Sequence, residues 1–197
     1  MTGQIIISIS REFGSEGREI AEQLAKELGL KLYDRNILEE ITREKSLPHD
    51  LKEYEEKPTN VFLTRRINEH SSSMEENLAQ MQFDFIRKKA DDGESFVVVG
   101  RCADVVLRGR EDLVTIFIFG DRKYKIKHVM ERYHITEEEA IAKIRRHDYY
   151  RRSYHNRHAK TKWGHAHNYD LCLNSSKLGI DNSVELLVDY VKRMKGI

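Results

Sequence analysis

The sequence has little cysteine and little proline, and it has no long apolar run. Its two cysteines, Cys102 and Cys172, do not form a CxxC pair, so we predict that both are buried and reduced. With only two prolines and no Ser/Gly-rich linker, the sequence favours one domain over residues 1–197. No apolar stretch approaches the roughly 20 residues that a membrane span needs. The N-terminus lacks the basic segment of a secretory signal, and we expect a cytoplasmic protein without membrane contact.

Apolar and charged residues are both abundant, at 39% and 34% of the 197 residues. This balance is typical of a globular domain with a single core and a polar surface. The formal net charge is +1, so the overall charge neither favours nor excludes a polyanionic partner. Local clusters of charge therefore have to be considered one by one.

Short apolar segments alternate along the chain with segments of helical periodicity. Short, nearly continuous apolar runs, here of three to six residues, are typical of strands that are covered on both faces, which predicts an α/β fold with a five-stranded parallel sheet flanked by helices. Ligands of such sheets bind at the carboxyl ends of the strands. The predicted strands are residues 5–9, 30–33, 96–99, 114–119 and 171–173. The predicted helices cover residues 20–28, 37–41, 74–90, 102–108, 122–133 and 184–194, with another starting at Thr136, whereas residues 153–169 show no clear period.

The stretch SREFGSEGRE, residues 10–19, directly follows the first predicted strand. A phosphate-binding loop at this place has the pattern GxxxxGK followed by Ser or Thr, and its backbone N–H groups hold the phosphates at a helix N-terminus. Here Gly17 matches the last glycine, but Glu12 stands for the first one, Arg18 for the lysine and Glu19 for the hydroxyl residue. Taken alone, the stretch favours an ordinary strand-to-helix turn.

The substitutions in this stretch are nevertheless compatible with phosphate binding. Arg18 is a permanent cation whose planar guanidinium can bind two phosphate oxygens. Glu19 could hold Mg²⁺ directly or through water, in the place of a hydroxyl group. Alternatively, Glu19 is an acid in the first helical turn that favours the helix dipole.

Residues 143–162 form a basic segment with five arginines, three lysines and one acid, Asp148. Cations at this density repel one another unless an anion or water screens them. The segment is interpreted as a lid over phosphates, as a solvated helix face or, as a disfavoured alternative, as an RNA-binding surface. The RNA alternative depends on three interleaved tyrosines, Tyr149, Tyr150 and Tyr154. A metal site is a further alternative with loose spacing for zinc, and it depends on His155, His158, His165 and His167.

Three stretches together resemble the cytidylate kinase-like family, a branch of the nucleoside monophosphate kinases. They are ISREFGSEGREIAEQLAKELGLKLYD, VVVGRCADVVL and KWGHAHNYDLCLNSSKLGID, and the resemblance covers the chain except about residues 45–90. It implies a P-loop kinase fold with a core, a monophosphate-binding insertion and a mobile lid. By this resemblance the core comprises about residues 1–35, 95–140 and 168–197, the insertion about 36–92 and the lid about 141–167.

The resemblance implies an enzyme that uses ATP with Mg²⁺ to phosphorylate a nucleoside monophosphate, with CMP or dCMP favoured. The residues implied to form the ATP phosphate loop are Gly14, Ser15, Glu16, Gly17, Arg18 and Glu19, with Glu19 as the Mg²⁺ ligand. The arginines implied to be catalytic are Arg18, Arg145, Arg151 and Arg152. The residues implied to bind the acceptor are Asp34, Arg35, Arg101, Asp104 and Asp148.

Two departures keep a second hypothesis open, namely a protein that binds nucleotides on the same fold without turnover. Family members more often have glycine where this chain has Glu16, and the branch lacks the usual loop lysine. The apolar stripe from Met74 to Phe85 is predicted to be the core of the insertion, and its helix is the candidate for a homodimer interface. Cys102 follows Arg101 without a neighbouring base, which argues against nucleophilic catalysis.

Overall fold

The computed structural model describes residues 3–34, 36–45 and 70–196 of the chain. Arg35 and the middle of the predicted insertion, residues 46–69, lie outside the described residues. Strands and helices alternate along the described part of the chain. The strands are β1 (Ile6–Arg11), β2 (Lys31–Tyr33), β3 (Phe96–Val99), β4 (Leu113–Phe119) and β5 (Leu171–Asn174). The helices are α1 (Gly17–Glu27), α2 (Ile37–Lys45), α3 (His70–Asp91), α4 (Ala103–Val106), α5 (Arg122–Tyr133), α6 (Glu137–His158) and α7 (Ser175–Lys195), with a 3₁₀ turn at Ala166–Asn168.

The five strands form one sheet in the order β2-β3-β1-β4-β5, and every pair is parallel. The predicted fold class is confirmed. Parallel strands need crossover connections, and the intervening helices supply them on both faces of the sheet. Strand β1 lies at the centre, with Ile6 opposite both Phe96 of β3 and Leu113 of β4. The segments that follow β1, β3 and β4 therefore meet at one edge of the sheet.

Alternate residues of the strands pack into two apolar layers. Helices α1 and α7 cover one face, where Ile7 and Ile9 of β1 contact Leu24 and Leu187 within one buried cluster. Helices α2, α3 and α4 cover the other face, around Ile6 of β1. Burying a large aliphatic side chain contributes about 1.5–3 kcal/mol, so these two layers fix the position of the sheet edge.

Helix α6 extends further than the sequence pattern indicates. It begins at Glu137, after the N-cap residue Thr136 whose capping box with Glu139 was predicted, and it continues to His158. The part beyond residue 152 was expected to have no regular period. The buried residue of that part is polar, since His155 pairs with the buried Asp104, and an apolar period is therefore missing from the sequence there.

Other helix predictions also differ from the structure at their ends. Helix α3 begins at His70, four residues before the expected start, and α4 is shorter than the predicted 102–108. Helix α7 begins at Ser175, nine residues before the first residue of its predicted apolar stripe. Among the described residues, no helix combines the length and the apolar character required to cross a membrane.

Candidate functional site

The stretch between β1 and α1 folds as a tight loop that ends at an uncapped helix N-terminus. The first α1 hydrogen bond runs from the Ile20 N–H to the Glu16 carbonyl, so the preceding N–H groups of the helix have no acceptor within it. The side chain of Glu16, the N-cap residue, makes no capping hydrogen bond. A Cβ added at Gly17 would lie 2.7 Å from the Arg11 Cβ, so the close approach of helix and strand requires glycine there. Free N–H groups at a helix N-terminus favour binding of an anion.

Glu16 has the backbone conformation of a glycine. Its φ is +57°, in the left-handed region where a side chain costs about 1–2 kcal/mol. Its carboxylate is held by α5, where it accepts a hydrogen bond from the Tyr124 hydroxyl and lies 3.0 Å from the His128 Nδ1. Burial and this hydrogen bond raise the pKa of Tyr124 to about 12. The side chain of Glu16 is therefore directed to α5, on the rim of the loop.

Arg18 connects the loop to the end of β2. Its Nε lies 3.0 Å from the Asp34 Oδ2 and 3.1 Å from the Glu22 Oε1. Asp34 is buried, and its Oδ1 lies 3.8 Å from a terminal nitrogen of Arg11. The Arg11 guanidinium packs against Gly100, where an added Cβ would be only 2.5 Å from Nη1. The ends of β1, β2 and β3 are thus joined by a buried carboxylate between two guanidinium groups.

Glu19 is bound to α5 rather than directed to open solvent. Its carboxylate pairs with the Arg132 guanidinium. Burial acts to raise the pKa of Glu19, but the hydrogen bond and charge of Arg132 outweigh it, and this pKa lies below its usual value. The carboxylate is therefore ionised at neutral pH, as a metal ligand must be. Among the described residues, no group of three or more potential ligands is arranged to hold a metal ion on its own.

Helix α6 lies directly on the start of the loop. The Asp148 Oδ1 accepts a hydrogen bond of 2.7 Å from the Phe13 N–H, and the Arg151 Nη1 donates one of 2.9 Å to the Arg11 carbonyl. The rings of Phe13 and His147 stack with their centroids 4.1 Å apart. Burial raises the pKa of Asp148 above its usual value, although the Phe13 N–H and nearby cations oppose the shift. The predicted lid segment and the predicted phosphate loop are therefore in contact.

A cleft of about 120 Å³ opens between the loop, α1, α5 and α6. It is lined by charged residues of both signs, and four of them are arginines. The charged residues of the lining are Arg11, Glu12, Glu16, Arg18, Glu19, Arg132 and Arg151, and His128 lines it as well. A cleft with this many guanidinium groups beside a helix N-terminus is suited to a phosphorylated ligand.

The predicted acceptor residues after β3 lie in a strained turn. Gly100, Arg101 and Cys102 all have positive φ values, of +75°, +56° and +53°. Arg101 donates a weak hydrogen bond of 3.4 Å to the Oε1 of buried Gln82, which places it against α3. Asp104 is buried and its Oδ2 lies 2.9 Å from the Nε2 of His155 on α6. Asp104 thus holds α6, and its predicted acceptor role stays a prediction.

The remaining residues of the basic segment lie outside the cleft. Arg145 is exposed, and Arg152 is exposed with its guanidinium 5.8 Å from the centre of the Trp163 ring. Their predicted catalytic roles stay predictions. Of the three tyrosines that suggested RNA binding, Tyr149 is the exposed one, and Tyr154 is half-buried against His158. The rings of His165 and His167 are in contact with their centroids 5.2 Å apart, whereas His155 is buried against Asp104.

The model of the cytidylate kinase-like family matches residues 6–177 of the chain. The chain belongs to the cytidylate kinase-like family. Among proteins with curated descriptions, none matches its sequence. A crystal structure of an uncharacterized protein from Eubacterium ventriosum is 33% identical, with a TM-score of 0.76, and the match covers 96% of this chain and 99% of that one.

This cytidylate kinase-like protein also has the fold of shikimate kinases. The enzyme from Bacteroides thetaiotaomicron is 10% identical with a TM-score of 0.56, covering 98% of this chain and 99% of that one. The enzyme from Acinetobacter baumannii, solved with shikimate, is 8% identical with a TM-score of 0.54, covering 98% and 95%. At these identities the likeness concerns the fold alone. Family and fold together support a phosphotransferase of the nucleotide kinase type.

Several residues of the site were not predicted from the sequence. Arg11 ends β1 as the one charge after an apolar run, and Lys125, His128 and Arg132 recur at i, i+3 and i+7 directly after β4. That spacing puts three basic side chains on one face of α5. A basic face on a helix that begins at the ligand-binding edge is the signal that could have identified them.

The thiol of Cys102 is expected to resist chemical modification in the folded protein. Burial, reinforced by the negative charge of Asp104, raises its pKa to about 12, so the nucleophilic thiolate is scarce. A thiol reagent at about pH 8 should modify Cys102 only when denaturant is added, and Cys172→Ser leaves Cys102 as the single thiol for the measurement. Rapid modification of this variant without denaturant would contradict the burial of Cys102.

Proposed function

We propose that this protein transfers the γ-phosphoryl group of ATP to a nucleoside monophosphate, with CMP or dCMP as the favoured acceptor. In this proposal the loop from Gly14 to Glu19 and the N-terminus of α1 hold the donor phosphates. Asp34 and Arg101, at the ends of β2 and β3, face the acceptor. The preference for a pyrimidine base depends on the family resemblance alone.

The observation that carries the proposal is the contact between α6 and the loop. Arg151 of α6 donates a hydrogen bond to the carbonyl of Arg11, the last residue of β1, although the two residues are 140 positions apart in the chain. An arginine at this place can neutralise the charge that spreads over a phosphoryl group in transfer. A turn that served only to connect β1 and α1 would not require a guanidinium group from α6 beside it.

Helix α6 has to move before a nucleoside triphosphate can bind. The cleft measures about 120 Å³, whereas sites for small organic ligands usually measure about 300–1,000 Å³. In addition, the Asp148 carboxylate occupies the Phe13 N–H, and phosphate and carboxylate would repel each other there. Withdrawal of α6 removes both obstacles, and its return with nucleotide bound would bring Arg151 to the phosphates.

The residues present fit a magnesium ion that arrives with the nucleotide. Mg²⁺ in kinase sites is usually held by phosphate oxygens, waters and one or two carboxylates. Glu19 lines the cleft at the position of the usual hydroxyl ligand, and Arg132 would have to release it. When bound, the ion neutralises phosphate charge and orients the γ-phosphoryl group. The protein itself contributes the helix N-terminus, the arginines and the exclusion of water.

A protein that binds nucleotides without turnover is the second candidate. It is favoured by two carboxylates that already occupy donors at the site: Asp148 accepts from the Phe13 N–H of the loop, and Glu12 accepts from the Gly120 N–H after β4. Both carboxylates also lie within 3.6 Å of the Lys125 Nζ. Such a protein would bind ATP but would leave the acceptor unchanged. The two candidates differ in the release of ADP and not in the affinity for ATP.

The test combines a nucleotide thermal-shift panel with a coupled assay of ADP release. A ligand at 100 times its Kd stabilises the fold by about 2.7 kcal/mol, so ATP and the correct monophosphate should each raise the melting temperature. Addition of CMP, dCMP or UMP to the protein with Mg·ATP should release ADP. Binding without ADP release would favour the second candidate. The absence of any shift with ATP would exclude both.

A further inference from the structure

We propose that Lys125 of α5 is the phosphate-binding cation that replaces the missing loop lysine, a proposal that rests on the proposed function. The phosphate loop usually carries a lysine after its last glycine, where this chain has Arg18. The Arg18 Nε is within 3.1 Å of two carboxylates, those of Asp34 and Glu22. Arg18 is thus engaged at the β2 side of the site.

Lys125 packs against the loop between β1 and α1, although it is distant from the loop in the sequence. Lys125 is only 8% exposed, and a lysine is rarely buried to this extent without a paired anion. Its Nζ lies 2.7 Å from the Glu12 Oε2 and 3.6 Å from the Asp148 Oδ2. Glu12 stands where the pattern has its first glycine. The acid that the loop has at Glu12 is therefore paired with a cation supplied by α5.

Two glycines make the space that Lys125 occupies. A Cβ added at Gly14 would lie 3.1 Å from the Lys125 carbonyl oxygen and 3.2 Å from its Cβ. A Cβ added at Gly120 would lie 3.3 Å from the Lys125 Cγ and 3.8 Å from the Ser15 Cα. The loop at Gly14 is thus packed against the backbone and Cβ of Lys125, and the chain at Gly120 is packed against its side chain. A surface lysine that merely balanced Glu12 would not need such close packing.

The Asp148 carboxylate marks where an anion binds. One of its oxygens accepts from the Phe13 N–H of the loop, and the other faces the Lys125 Nζ. A loop N–H and an ammonium group directed at one anion are the two elements of a phosphate site. When α6 withdraws, the phosphate of ATP can take the place of the carboxylate, and the ammonium group still has donors left beside Glu12.

Binding of ATP and of inorganic tripolyphosphate, measured by calorimetry with Mg²⁺, tests this assignment. The variants are Glu12→Gln and the double variant Glu12→Gln/Lys125→Met, whose net charge equals that of the wild type. Glu12→Gln removes a carboxylate from the anion site, so it should bind both probes more tightly than the wild type. The double variant should bind at least about tenfold more weakly than Glu12→Gln. Lys127→Met, at an exposed lysine of the same helix that pairs with Glu131, is the matched control and should leave binding unchanged.

The double variant keeps the test decisive where the single change Lys125→Met does not fold. That single change takes the ammonium group from both Glu12 and Asp148. In the double variant only Asp148 loses it, and Asp148 keeps its hydrogen bond from the Phe13 N–H. If the folded double variant binds both probes as tightly as Glu12→Gln, Lys125 only balances Glu12 and the proposal is wrong, while the proposed function stands. If the wild type binds neither probe, the proposed function fails and the role of Lys125 fails with it.

Discussion

Replacement of Arg151 by alanine is expected to lower the rate of phosphoryl transfer by about 10³-fold or more. Arg151 lies in the cleft, bonded to the Arg11 carbonyl, with its guanidinium 5.5 Å from the centre of the Phe13 ring. Its charge is most valuable when negative charge spreads over the transferred group, so the loss should fall mainly on kcat. The measurement is steady-state ADP release with saturating Mg·ATP and CMP, with ATP binding followed separately.

Arg146→Ala is the matched control for Arg151→Ala, because Arg146 is an exposed arginine of the same helix. It should change kcat little. Arg151→Lys keeps the charge but loses the planar pair of donors, and it should restore only part of the rate. Equal rates for the wild type and a folded Arg151→Ala variant would show that Arg151 is not catalytic.

Removal of either partner of the buried Asp104–His155 pair is expected to destabilise the fold by about 3–5 kcal/mol. The two side chains are 2.9 Å apart, and their side chains are 1% and 4% exposed. His155→Ala leaves the Asp104 carboxylate buried without its imidazole partner. Asp104→Ala likewise leaves the His155 imidazole buried without the carboxylate. For a protein of this length each kcal/mol corresponds to about 2–4 °C, so the melting temperature should fall by roughly 6–20 °C.

The double variant Asp104→Ala/His155→Ala should lose less stability than the sum of the two single variants, because it contains no buried unpaired partner. The exposed Asp189–Arg193 pair provides the control: its side chains are 61% and 79% exposed. Asp189→Ala should change stability by less than about 0.5 kcal/mol. A loss below about 1 kcal/mol for both single variants at Asp104 and His155 would show that the pair does not hold α6 in place.

The structure also explains why a weak loop motif was hard to interpret from the sequence. The glycines of SREFGSEGRE could be assigned, because the pattern after an apolar strand is local. The partners of its charged side chains could not be assigned from the sequence. Arg18 is engaged by Asp34, Glu16 by Tyr124 and His128, and Glu19 by Arg132. Each of these partners except Asp34 lies on α5, more than 100 residues further along the chain.

By itself the sequence determined the fold class, most of the elements and their order along the chain. Apolar runs and helical periods are local properties, and short crossover helices then require a parallel sheet. Tertiary structure alone decided which polar groups are paired: Lys125 with Glu12, Asp148 with the Phe13 N–H, and His155 with Asp104. These contacts depend on how α5 and α6 are positioned over the sheet edge. That position results from packing of the whole core, and no local pattern of residues carries it.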